Sequence, residues 1–137
     1  IESYCSATAL AHAGAVTMRA HPESLLYKVS GGDAQNVDAR LVTDCARSGD
    51  PAAKAVFDDF VSHLASACAT IFNLLDPEVL AIGGGLSAAG AFLFDPLQPL
   101  VTQRCFYHAA RGALVPAQLG NDAGMIGAAM LHFNSIA

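Results

Sequence analysis

The stretch that decides the fold runs Asn73-Leu74-Leu75-Asp76-Pro77-Glu78-Val79-Leu80-Ala81-Ile82-Gly83-Gly84-Gly85-Leu86-Ser87. Asp76-Pro77-Glu78 ends a preceding helix. Val79-Leu80-Ala81-Ile82 is then a short continuous apolar run that suits a central strand covered on both faces. Gly83, Gly84 and Gly85 follow at the carboxyl end of that strand, the place where open α/β sheets receive ligands. Glycines there let the backbone approach a ligand and accept torsions that a β-carbon forbids. Amides opening the next helix can also face an anion. A purely structural glycine-rich turn is the competing reading. The segment lacks the lysine of a Walker loop and the spacing of a dinucleotide fingerprint, so neither of those is supported.

Working upstream, Gly49-Asp50-Pro51 reads as a helix start. Asp50 can accept the free amides of a first turn, and Pro51 suits the first helical position. From there to Leu75 apolar residues recur at helical spacing, which predicts the longest helix, about 37 Å if unbroken. Its second half is apolar nearly all round, which implies deep burial toward Leu75. A shorter helix is expected over 37–47, where Val37, Leu41, Val42 and Cys45 share a face. Residues 22–36 read as a connector with a turn at Ser30-Gly31-Gly32-Asp33. A first helix is expected over 3–19, with Tyr4, Ala7, Leu10, Ala11 and Val16 as its apolar stripe, ending at His21-Pro22.

Downstream, the pattern predicts a helical turn over 87–94, a helix over 96–110 and a second strand over 113–119. Pro116 points to a sheet edge or bulge. Gly120-Asn121-Asp122 reads as a turn, and a helix rich in Gly and Ala is expected over 123–133. The expected fold class is therefore α/β and mostly helical, with two strands of a parallel sheet and one domain over residues 1–137.

The chain is 53% hydrophobic and only 14% charged, a densely packed composition rather than a disordered one. A net charge of −5 and seven dispersed Lys and Arg residues argue against a nucleic-acid surface. No apolar run reaches the roughly 18 residues of a membrane span, and no signal segment opens the chain. Cys5, Cys45, Cys68 and Cys105 lack the close spacing of zinc or redox motifs. They read as buried or inert thiols in a reducing, cytoplasmic setting. His12, His21, His63, His108 and His132 are equally scattered, so metal binding within the chain is not expected. Ile1-Glu2-Ser3-Tyr4 opens without methionine and enters a helical pattern at once, which reads as an internal start.

Taken together these segments resemble the ROK family of sugar kinases and repressors. The run from Asn73 to Ser87 is similar to the family's adenosine-side motif. Leu119-Gly120-Asn121-Asp122-Ala123-Gly124-Met125-Ile126-Gly127-Ala128-Ala129 is similar to its C-terminal signature. Ser48-Gly49-Asp50-Pro51-Ala52-Ala53 resembles the entry into its long helix. Ile1-Glu2-Ser3-Tyr4-Cys5-Ser6-Ala7-Thr8-Ala9-Leu10 resembles the stretch after its zinc cysteines, with Ala7 where relatives often carry Gly.

The resemblance implies a partial actin-like, ribonuclease-H-like ATPase domain: the C-terminal portion of a two-domain, glucokinase-like kinase. In such kinases ATP, with Mg²⁺, donates a phosphoryl group to a hexose hydroxyl. Glu2 would contact sugar hydroxyls, although a frayed, solvated carboxylate is the plainer reading. Gly83, Gly84 and Gly85 would lie along the nucleotide, while Asn121 and Asp122 suit turn formation. The catalytic aspartate, the phosphate loops and the structural zinc all belong upstream of Glu2 in the family, so this chain alone is expected to be inactive. With only two strands, a sheet face and edge should stay exposed, and self-association follows. The alternative implied function is the sugar-sensing and dimerisation domain of a ROK repressor.

Overall fold

The computed structural model describes residues 1–106, 112–119 and 122–134. The ends of two expected features, residues 107–110 of a helix and Gly120-Asn121 of a turn, lie outside them.

The first helix is two helices. α1 covers Glu2–Cys5 and α2 covers Ala7–Ala20. They part at Ser6, whose extended backbone lets its hydroxyl accept the Ala9 amide at 3.1 Å and cap α2. The buried stripe of α2 is Leu10, Gly14 and Met18, spaced four apart, whereas Tyr4 and Val16 are exposed. The expected stripe was thus rotated, because Met18 rather than Val16 faces the core. The connector after His21 is not a plain loop. Ser24 caps α3, Leu25–Ser30, by accepting the Tyr27 amide at 3.2 Å, and Gly31 ends it in the left-handed region. Leu26 is fully buried and holds this short helix down.

α4, Ala39–Arg47, starts where Asp38 accepts the Leu41 amide at 2.7 Å. It buries Val42, Cys45 and Ala46. A β-carbon on Gly14 would collide with Val42, so the missing side chain lets α2 and α4 touch. α5, Pro51–Leu75, is the predicted long helix, capped by Asp50 and begun by Pro51. It buries Phe57, Phe60, Val61, Ala65, Cys68 and Phe72 against its neighbours. Although long and apolar enough in composition to cross a bilayer, α5 is the central packing helix of this core.

β1, Val79–Ile82, matches the expected strand. α6, Ala91–Arg104, leads to β2, Ala113–Pro116. The strands pair in parallel, Val79 opposite Ala113 and Ile82 opposite Pro116. α6 starts five residues earlier than expected. The Gly90 carbonyl accepts the amides of Leu93 and Phe94, so Pro96 and Pro99 fall inside the helix rather than at its start. Burial of Leu93, Leu97 and Val101, again spaced four apart, outweighs the two missing N–H donors. α7, Ala123–Asn134, follows the expected boundaries closely.

Two expectations of burial are corrected. β1 is not covered on both faces: Leu80 and Ile82 pack on the core, while Val79 and Ala81 are exposed. Leu74 and Leu75 are exposed at 76% and 74%, so α5 is not deeply buried at its end. The described sheet has two strands, and among the described residues only its Leu80 and Ile82 face is packed on the core.

Candidate functional site

The main chain changes character where β1 stops. The ladder runs one bond past the strand, with Ala117 donating to the Ile82 carbonyl at 2.8 Å. Gly83 then passes close to Ala117: a β-carbon on it would stand 3.5 Å from the alanine methyl. Gly84 adopts φ 83 and ψ 177, a region essentially restricted to glycine. Its carbonyl accepts both the Ser87 amide at 3.1 Å and the Ser87 hydroxyl at 2.7 Å, which closes a 3-10 turn over Gly85–Ala89. Among the described residues, chain neighbours aside, no heavy atom lies within 4 Å of where a β-carbon would sit on Gly84 or Gly85. Bare, exposed peptide therefore borders open space at this sheet end.

Gly85 lines a cleft of about 860 Å³. One wall is the turn after β1, with Leu86, Ala88 and Ala89. A second is the N-terminal part of α2, with Ala7, Thr8 and Ala11. The third is α4, which contributes Arg40, Thr43, Asp44 and Arg47. These four recur at i, i+3, i+4 and i+7, so they form one helical stripe. Reading only the apolar side of this helix overlooks them, yet the complementary polar spacing is visible in the sequence.

The polar wall is internally ordered. Asp44 lies 3.7 Å from Arg40 and 4.0 Å from Arg47. Thr43 is buried and donates its hydroxyl proton to the Ala39 carbonyl at 2.8 Å. Arg47 crosses the cleft edge to donate to the Ala89 carbonyl at 3.1 Å, with its guanidinium 5.2 Å from the centre of the Phe92 ring. The cleft thus sets guanidinium and carboxylate groups opposite unsubstituted main chain.

Glu2 stands elsewhere. It opens α1 as an exposed residue and is not among those walling the cleft. α1 is held on α5 by Tyr4, whose ring stacks on His63 at 5.3 Å. Asp122 is exposed, and Asn121 lies outside the described residues. Burial pushes the Cys68 thiol up to about 11, with the nearby Cys5 adding, and burial also raises Cys5 and Cys45. These three are protonated thiols at neutral pH, not nucleophiles. Among the described residues no three His, Cys, Asp or Glu side chains converge to hold a metal ion.

The ROK family model matches residues 1–134. The glucokinase of Thermotoga maritima is 35% identical over 132 residues, which cover 96% of this chain and 41% of that protein. The chain therefore spans about two fifths of the length of the curated relatives it matches. In structure it is similar to a ROK family glucokinase from Streptomyces griseus in complex with glucose and AMPPNP. That match has a TM-score of 0.83 and 30% identity, covering 95% of this chain and 43% of the other. It is also similar to a ROK family transcriptional regulator, a homolog of the E. coli MLC protein. There the TM-score is 0.75 at 25% identity, covering 93% of this chain and 31% of the other. With the family model matched over residues 1–134 and a glucokinase 35% identical across 96% of the chain, the chain belongs to the ROK family.

Proposed function

We propose that this chain is the nucleotide-side, C-terminal portion of a longer ATP-dependent sugar kinase of the glucokinase kind. The observation that carries the reading is the bare main chain of Gly85 on the cleft wall, while Gly83 and Gly84 precede it at the strand end and are not among the residues lining the cleft. A cleft of about 860 Å³ has room for a nucleotide, and its α4 wall offers the Arg40 guanidinium and the Asp44 carboxylate as polar partners. The glucokinase in complex with glucose and AMPPNP, similar at a TM-score of 0.83, supports the same class of ligands.

In this proposal Gly83, Gly84 and Gly85 bind the nucleotide through backbone atoms, and Gly84 sets the direction in which the turn leaves the strand. ATP supplies the phosphoryl group, with Mg²⁺ neutralising its charge. Glu2, exposed on α1 and outside the cleft lining, accepts hydrogen bonds from sugar hydroxyls. The base that deprotonates the sugar comes from outside these 137 residues, as does the structural zinc, for which the described residues offer no ligand cluster. Free, protonated thiols suit a reducing, cytoplasmic setting.

The test is an assay of the full-length protein with ATP and a panel of hexoses, beside the 137-residue chain. Sugar-dependent ADP release is expected from the first and none from the second. Turnover by the chain alone would remove the argument for an external base. The second reading, a sugar-responsive repressor, is favoured by the likeness to the ROK transcriptional regulator. It predicts sequence-specific DNA binding by the full-length protein and no calorimetric signal with an ATP analogue.

A further inference from the structure

We propose that Arg47 is a positioning residue for the nucleotide-facing segment 84–90, an inference that rests on the kinase reading above. The segment leaves β1 through Gly84 at φ 83 and enters α6 through Gly90 at φ 58 and ψ −135. Both torsion pairs are ones that residues with side chains rarely adopt, so the segment turns at two glycine pivots, with Leu86 and Ala89 packed on the core between them. Its hydroxyl bond, from Ser87 to the Gly84 carbonyl, is local and ties the segment only to itself.

Arg47 ties it to the body of the protein. Its Nη2 donates to the Ala89 carbonyl at 3.1 Å, just before the second pivot. Its guanidinium also lies 5.2 Å from the Phe92 ring centre, just beyond that pivot. Phe92 in turn packs on the buried Phe57, with ring centres 4.7 Å apart, and so reaches the α5 core. Asp44, 4.0 Å from Nη1, adds a weak, solvent-screened charge attraction. One planar cation therefore bridges the α4 wall of the cleft and the wall that carries Gly85. Lysine is a poor replacement, because its compact, strongly hydrated ammonium lacks the planar fork that reaches Ala89 and Phe92 together.

The experiment compares Arg47→Lys, Arg47→Ala and Arg104→Ala in the full-length protein. Arg104 bonds Ser62 and Ser66 at the other end of α6, away from the cleft, and serves as a control for general loosening. Both Arg47 variants are expected to raise KM for ATP about five- to tenfold, the scale of one lost charge-assisted hydrogen bond. KM for the sugar and kcat should hold, and amides 85–89 should exchange faster with solvent. Arg104→Ala should lower Tm and leave KM for ATP in place. The inference is overturned if Arg104→Ala raises KM for ATP as much as Arg47→Ala. It is also overturned if the Arg47 variants leave amide exchange over 85–89 unchanged. If the wild-type protein shows no ATP binding, the kinase reading fails separately, and the exchange data still decide whether Arg47 holds the segment.

Discussion

The carboxylate of Asp50 accepts the amide of Leu25, so the residue that caps the longest helix also caps α3, twenty-five positions earlier in the chain. The other oxygen accepts the Ala53 amide at 2.8 Å. Asp50 is only 4% exposed, so neither amide would find water as a substitute.

Asp50→Ala is therefore expected to destabilise the protein by about 2–4 kcal/mol, a lost N-cap plus a buried unsatisfied donor. Asp50→Asn keeps one good acceptor and should lose less. Urea denaturation midpoints measure both, and equal losses would show that the double cap has no energetic meaning.

Gly84 and Gly85 are neighbours with different physical duties, and alanine separates them. Gly84→Ala forces a β-carbon onto φ 83 and should cost about 1–3 kcal/mol. Gly85→Ala meets no atom within 4 Å and requires no positive φ, so stability should change by less than about 0.5 kcal/mol. Its methyl projects beside the proposed nucleotide path, so in the full-length protein the affinity for an ATP analogue should fall. Calorimetry showing unchanged affinity would place the nucleotide elsewhere.

Cys68 predicts an alkaline effect of definite sign. Its thiol is raised by burial from 9.0 to about 11, so the native state holds a proton that the unfolded state releases. Stability is unaffected below about pH 9 and falls as pH rises toward 11, by on the order of 2–3 kcal/mol in total. Cys5 and Cys45 are raised by burial too and add a smaller slope of the same sign. Chemical denaturation at pH 8, 9 and 10 checks this, and Cys68→Ala should flatten most of the slope.

Leu74, Leu75 and Val79 form an uncovered apolar patch around the turn from α5 into β1. The 137-residue chain should self-associate with rising concentration, and Leu75→Lys with Val79→Lys should suppress this in light scattering. A monodisperse wild-type chain at high concentration would contradict it.

Elements with strong local chemistry could be read from the sequence. Asp50-Pro51 announced α5, and Val79-Leu80-Ala81-Ile82 followed by three glycines announced β1 to the residue. What escaped depended on tertiary packing. Pro96 looked like a helix start but lies inside α6, because Leu93 is fully buried and draws the helix back toward Gly90. Residues 25–30 looked like loop, yet the buried Leu26 and the shared Asp50 cap make them helical. At the cleft, the turn that brings Gly85 to its wall could be read from the three glycines, whereas the polar spacing of α4 could be read but not what it faces. Arg40, Thr43, Asp44 and Arg47 become a wall only once α4 lies beside the turn after β1, and no local pattern states that distance.

The parallel pairing of β1 with β2 has a kinetic consequence. Parallel partners cannot be joined by a tight turn, so α6 must form and return before Val79 meets Ala113. The contacts between α4 and α5 close over shorter stretches and are expected to assemble first. The glycine edge, which follows the end of β1, is then expected to be set only after those helical contacts have formed.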